Sequence, residues 1–557
     1  MKRLISIGAI AALLDGCAAP QAATRPFPAL PAAPIEVQIL AFNDFHGNLE
    51  TPAPVEIAGA DGVTRRVTTG GIAHLAAALA ARRHGSSITV SAGDLIGASP
   101  FTSAAFLDEP TIVAMNLAGL DLNAVGNHEF DKGARELWRM QAGGCAKFTT
   151  RTPCRLEPFT GAKFRFLAAN VRTADGVTLF APTAIRQFGP VRIGFIGITL
   201  KGTKDIVTPS GIAGLTFADE AATANSLVPQ LKEQGADTIV LLIHQGGRMP
   251  IFTDGQGCNG LSGDILPILD KLDPSITTVV SGHTHYAYIC RRGSHLLTSA
   301  GKYGYLFSDL RLEFDASSHH LIAQHATNLI TGAGAEDPRI KALVARYAAA
   351  AAPEANRLIG RLAGPAWRDE KGGESPIANL IADALEHAAR SPANGNAQFA
   401  LVNGTGVRTA LTPAANGNIS YGQIFSVMPF GNGVVTKTLT GAQLKALLEQ
   451  QFRASSYAPG FRPALLVPSA NLNYSYALSR PIGNRVTRIQ FNGKPIIAAR
   501  RYRVATIDYL ASGGDGYSVF AEGRDAVEAG TDLDAMAAWI AKGQAVPAVG
   551  RTRNLAN

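Results

Sequence analysis

The chain has 557 residues, of which 46% are hydrophobic and 17% charged, with a formal net charge of +8. That length excludes one ordinary domain and predicts two or three. The positive balance comes without a Lys/Arg run or a basic stripe interleaved with aromatics, which excludes a binder of polymeric nucleic acid and leaves a solvated surface.

In chain order, Met1-Lys2-Arg3 and the apolar stretch Leu4 to Leu14 have the layout of an export signal, too short to span a membrane. Leu14-Asp15-Gly16-Cys17 is similar to a bacterial lipobox, Asp15 being atypical, and makes Cys17 the expected lipidated residue at the end of a 1–17 signal segment. The expected location is the periplasm or, because Ala18 and not Asp follows the cysteine, the outer membrane as a lipoprotein. No later hydrophobic run has transmembrane length, so the membrane is met only through that lipid. Four cysteines remain, in two local sets, Cys145 with Cys154 and Cys258 with Cys290. Four allow three connectivities; proximity and an oxidising compartment favour disulfides within each set.

The first predicted strand, Ile35 to Phe42, runs into Asn43-Asp44-Phe45-His46, so Asp44 and His46 leave it two residues apart. If the chain stays extended, the two side chains share a face. Ser87 to Ser91 delivers Gly93-Asp94, whose two carboxylate oxygens suit it to bridge two ions, as no histidine does. Ala124-Val125-Gly126 leads to Asn127-His128-Glu129-Phe130-Asp131, Thr238 to Ile243 to His244-Gln245-Gly246, and Thr277 to Ser281 to Gly282-His283-Thr284-His285. Asp44, His46, Asp94, Asn127, His244, His283 and His285 thus form a ligand inventory for two adjacent ions. Mixed His, Asp and Asn ligation without cysteine suits Zn²⁺, Mn²⁺ or Fe rather than Ca²⁺ or a structural zinc.

These segments together resemble the signature of the 5′-nucleotidase and UDP-sugar hydrolase family of metallophosphoesterases. The resemblance covers roughly 35–540 and implies an α/β protein of two parts. They are an N-terminal four-layer metallophosphoesterase sandwich at 35–335 and a C-terminal α/β nucleotide-binding domain at 361–545, joined by a linker helix at 336–360. It implies one divalent metal on Asp44, His46, Asp94 and His285, and a second on Asp94, Asn127, His244 and His283. His128, oriented by Asp131, would contact the phosphoryl group; cyclic-nucleotide phosphodiesterase relatives tend to carry Asn at the position of Asp131. Two cations about 3.5–4 Å apart would activate a water and neutralise the charge of a phosphate ester under attack.

Asp337-Pro338 reads as a cap and first position of the linker helix, which Pro353 is expected to stop. Beyond it, Asn403-Gly404-Thr405-Gly406-Val407-Arg408, Met428-Pro429-Phe430-Gly431 and Tyr509 to Gly516 match the family's nucleoside site. By resemblance, Phe430 and Tyr509 sandwich the base, Asp515 binds the ribose hydroxyls, Asn403 the base and Arg408 the phosphate end. Two departures stand out: Gly373 where some relatives have arginine, with Arg368 or Lys371 as possible substitutes, and Thr405 in place of a glycine.

The expected activity is phosphate release from nucleoside 5′-monophosphates, extending to di- and triphosphates or UDP-sugars. Rivals that keep the metal centre are a 2′,3′-cyclic-nucleotide phosphodiesterase/3′-nucleotidase and a thiosulfohydrolase-like relative. A rival of another class is a lipid-anchored nucleotide-binding protein. The oligomeric state is left open.

Overall fold

The computed structural model describes residues 33–58, 63–249, 258–453 and 462–555; Cys17 and the predicted signal lie outside them. Two six-stranded sheets form the N-terminal part. The first runs in the order Leu321–Ile330, Leu306–Phe314, Ile35–Phe42, Ser87–Ser91, Leu122–Ala124, Arg165–Leu167. The second runs Ala287–Arg292, His295–Ala300, Ile276–Ser281, Thr238–Ile243, Val191–Ile198, Thr183–Phe188.

Strand periodicity explains the layering. Along Ile35–Phe42, Val37, Ile39 and Ala41 pack with Val240, Leu242, Val280 and Phe195 of the second sheet, filling the space between sheets. Leu40 and Phe42, on the opposite face, pack under the helices Ile72–Arg82 and Glu109–Ala118. Ile239, Leu241 and Ile243 likewise turn outward beneath Glu220–Glu233 and Ile265–Leu269. Strands apolar on both faces need cover on both sides, and helix/sheet/sheet/helix is the result.

The five ligand-bearing strands pair in parallel within each sheet: Ile35–Phe42 with Ser87–Ser91, then Leu122–Ala124, and Thr238–Ile243 with Ile276–Ser281. Their C-terminal ends therefore emerge along one edge of the sandwich. That is where parallel α/β sheets place ligands.

The helix Pro338–Ala355 begins with Asp337 accepting from the N–H groups of Arg339 and Ile340. Pro353 sits inside its last turn and does not stop it; a proline there removes one hydrogen bond without forbidding helical φ. Ile340, Leu343, Tyr347 and Ala351 are buried against the N-terminal helical layer, so the helix is packed along its length. The C-terminal part has a five-stranded sheet in the order Leu466–Pro468, Phe399–Asn403, Arg501–Ile507, Gly433–Thr440, Arg524–Thr531, with Pro376–Ala389 and Asp532–Ile540 packed on it. Phe101 of the first part meets Tyr421 and Phe425 of the second edge-on, with ring centroids at 5.6 and 5.1 Å. Arg151 lies over Phe101 and Phe425 and pairs with Glu354, tying the disulfide loop Cys145–Cys154 to that junction. Cys258–Cys290 is the second disulfide.

Candidate metal centre and nucleoside pocket

The five strand ends bring together all seven residues of the predicted ligand set. Asp44, His46 and His285 converge within 4.8 Å, as do Asp94, His244 and His283, and His46 and Asp94 also meet His128. Asp94 Oδ2 is 3.0 Å from His244 Nε2 and 3.6 Å from His46 Nε2, facing both groups as a bridging carboxylate must. Asn127 Oδ1 lies 3.2 Å from His244 Nε2.

Asp44 and His46 converge for a different reason from the extended geometry expected of the sequence. The strand ends at Phe42, and Asp44 and His46 both adopt left-handed backbone, with φ of 50° and 47°. Asp94, His283 and His285 share that region, with φ of 51°, 72° and 63°. Five of the seven candidate ligands thus hold a conformation that costs roughly 1–3 kcal/mol each for a non-glycine residue. Glycine is needed where the loops crowd: a Cβ on Gly126 would stand 2.2 Å from Asp94 Oδ1, and one on Gly93 2.6 Å from His244 Nδ1.

Hydrogen bonds orient the imidazoles. His46 Nδ1 is 2.9 Å from the Gly97 carbonyl and His244 Nδ1 2.8 Å from that of Ala92. A proton on each Nδ1 donates to those carbonyls, leaving the Nε2 lone pairs pointing inward, as metal-bound histidines require. His46 Nε2 and His285 Nε2 stand 3.1 Å apart and face Asp44 Oδ1 at 3.9 and 3.4 Å, a spacing that suits one cation held among them. The donor set therefore fits divalent metal ions.

The charges within the cluster are strongly coupled. Burial alone would raise the Asp94 carboxyl, but His244 and His128 hold it well below the usual range; Asp44 is lowered against burial chiefly by His285. His46 and His285 are lowered by burial, and burial and His244 bring His283 down to about 3. Burial would also lower His244, but Asp94 outweighs it and raises this imidazole to about 10, so its Nε2 would have to give up a proton on binding a metal ion.

His128 Nδ1 is 2.9 and 3.0 Å from the two oxygens of Asp131, whose Oδ2 also accepts from the Ala98 N–H. Burial opposes its charge, yet Asp131 and Asp94 raise its pKa. The Phe430 ring of the C-terminal part stacks beside it at 5.9 Å with an interplanar angle of 17°.

Glu129 has no role that the Asn127–Asp131 motif discloses. It is buried, and its oxygens accept from the N–H groups of Asp94, Leu95 and Gly126 and from Asn123. It clamps the Asp94 turn to the Asn127 turn. Burial and Asp94 push its carboxyl up to about 8, against donors that favour the ionised form. Sequence reasoning also misses Asn43 and Tyr303. The first bonds Gly301 O and Asp44 Oδ2, both at 2.7 Å; the second packs its ring edge-on against His46 and His285. No sequence signal marks Tyr303, which reaches the site from another loop.

A cavity of about 1090 Å³ opens from the cluster and is lined by Asn403, Arg408, Phe430, Tyr509 and Asp515 as well as by Asp94, Asn127 and His128. The Arg408 guanidinium lies 5.9 Å from the Phe430 ring centre, and its Nη2 is buried with no hydrogen-bond partner among the described residues. Arg368 does not take the place of an arginine at 373: it donates to the Arg408 carbonyl and pairs with Glu370, so it holds the Arg408 loop from behind. Tyr509 Oη is 3.4 Å from the Asp205 carbonyl, where the Thr203–Ile206 turn of the first part meets Gly514–Gly516 of the second.

A four-layer sandwich with this cluster at its strand ends, followed by a second α/β domain, defines a metal-dependent phosphoester hydrolase. Residues 37–287 match the calcineurin-like phosphoesterase family and residues 351–522 the 5′-nucleotidase C-terminal domain, and the chain belongs to the 5′-nucleotidase family. It is similar to the crystal structure of a 5′-nucleotidase precursor from Thermus thermophilus, with 26% identity, TM-score 0.73, and 94% of this chain and 99% of that one covered. The 5′-nucleotidase of Bos taurus is 26% identical over 544 residues, covering 92% of this chain and 89% of that protein. Endonuclease YhcR of Bacillus subtilis is 26% identical over 523 residues; the match covers 92% of this chain but 40% of that longer relative.

Proposed function

We propose that this chain is an exported nucleotidase that uses two divalent metal ions to release phosphate from nucleoside 5′-monophosphates. The observation that carries the proposal is the cavity of about 1090 Å³ lined from one side by the ligand cluster and from the other by Arg408, Phe430, Tyr509 and Asp515. Its size, just above the roughly 300–1,000 Å³ usual for ligand pockets, leaves room for di- and triphosphates or UDP-sugars as secondary substrates.

Asp44, His46, Asp94 and His285 would hold one ion, and Asp94, Asn127, His244 and His283 the other. Two such ions supply an activated water and neutralisation of phosphoryl charge. The chain's own residues do the rest. Asp131 favours the charged form of His128, whose Nε2–H would then be a donor for a phosphoryl oxygen. Arg408, whose Nη2 has no partner among the described residues, offers a second. The faces of Phe430 and Tyr509 would hold the base, each stacked face worth roughly 1–3 kcal/mol with little regard to base identity. Asp515 would accept from the sugar, and Asn403 would contact the base.

The two disulfides support an oxidising compartment outside the cytoplasm, with Cys17 carrying a lipid. Phosphate release from AMP, UDP-glucose and cyclic AMP, compared with Mn²⁺ added and with a chelator, tests the activity. AMP turnover that the chelator abolishes and metal restores is expected; cleavage of cyclic nucleotides with AMP left intact would overturn the proposal. Palmitate labelling that Cys17→Ala abolishes tests the anchor.

A further inference from the structure

Asp515 sits in a left-handed turn, φ 52°, and its carboxylate is already engaged. Oδ1 accepts from the Tyr509 hydroxyl at 2.6 Å. Oδ2 accepts from Asn403 Nδ2 at 2.8 Å and from the Thr405 hydroxyl at 3.1 Å. Asn403 Nδ2 also lies 3.2 Å from Thr405 Oγ1, so the three side chains form one triangle of contacts.

A carboxylate offers about four acceptor positions, two on each oxygen. Two donors saturate Oδ2, and Tyr509 takes half of Oδ1. One acceptor position remains. A vicinal diol bound across both oxygens needs two, and the second is filled by the hydroxyl of Thr405. A sugar hydroxyl that displaced Thr405 would exchange one hydroxyl donor for another. Thr405 is exposed and would return to water, so the exchange adds no net bond.

We infer that Thr405 is a specificity-determining residue: by occupying Asp515 Oδ2 it leaves the site one sugar hydroxyl to recognise, so monodeoxynucleotides are substrates on a par with ribonucleotides. This rests on the nucleotide reading above and deepens it. Thr405 acts through Asp515, as a positioning and competing donor, and takes no part in phosphoryl transfer.

The test compares kcat/KM for AMP, 2′-deoxy-AMP and 3′-deoxy-AMP in the full chain loaded with Mn²⁺. In the unaltered enzyme the better of the two deoxy substrates is expected within about threefold of AMP, since the second hydroxyl adds no net bond. Thr405→Val, nearly isosteric, frees the acceptor, and both deoxy substrates should then fall about tenfold or more behind AMP, the scale of one charge-assisted hydrogen bond. Thr405→Ser should keep the original ratio, which a merely structural role for the side chain would not predict. Both deoxy substrates trailing AMP by more than about threefold in the unaltered enzyme, or no change of ratio in Thr405→Val, would overturn the inference alone. Failure to release phosphate from any of the three while p-nitrophenyl phosphate is still cleaved would overturn the nucleotide reading and this inference with it.

Discussion

The two walls of the cavity are built on opposite plans. On the side of the ligand cluster, Asp44, His46, Asp94 and His244 are almost wholly buried, and backbone carbonyls or amides fix their orientation. On the opposite wall, Asn403, Thr405, Tyr509 and Asp515 bond mainly to one another, and Thr405 is exposed. Side chains held by backbone cannot rearrange without moving a loop. Side chains held by each other can trade partners with a ligand. Chemistry that needs fixed ligands sits on the first plan, and recognition that must admit and release substrate sits on the second.

Breaking the rigid wall should cost most. Asp94→Ala removes the carboxylate common to both ligand groups and should abolish bound metal and activity together, read by elemental analysis and phosphate release; a metal-loaded, active variant would sink the assignment. His128→Ala should separate chemistry from metal binding, lowering kcat by about 10²–10⁴ with metal content unchanged. Glu129→Gln keeps the volume of the clamp between the Asp94 and Asn127 turns but gives it an N–H₂ where it must accept; metal affinity should fall roughly 10–100-fold, checked by competition with a chelator. On the adaptable wall, Phe430→Ala should raise KM about tenfold while metal stays bound, by loss of one stacking face. An unchanged KM would show that the base lies elsewhere.

The smallest effect concerns stability alone. Asp532, at the floor of the cavity, is buried, and burial outweighs its bonds from Asn432 and Leu533 to raise its carboxyl to about 7. The unfolded chain ionises this group near pH 4 and the folded one near 7, so the folded state binds more protons between those values and stability falls as pH rises through that window. Above it the penalty is constant, on the order of 4 kcal/mol. Asp532→Asn should flatten the pH dependence of the urea midpoint from about 4 to 7 and raise the midpoint at pH 8.

The sequence by itself determined which residues could be ligands and which strands would carry them. Apolar runs ending in Asp, His and Asn are a local pattern, and alternation along Ile35–Phe42 and Thr238–Ile243 is legible without knowing what lies opposite. Both cysteine pairs were legible for the same reason, each being close in sequence. Only the tertiary structure decided how Asp44 and His46 converge, because left-handed φ at a non-glycine residue is imposed by surrounding packing and leaves no compositional mark. The same holds for Glu129 as the clamp between two ligand turns, and for Tyr303, brought to His46 and His285 from a loop far along the chain from His46. Thr405 is the sharpest instance. As a letter it was a departure from a glycine-rich loop. Its meaning came from a bond to Asp515, 110 residues away, and long-range pairing is what a linear pattern does not encode.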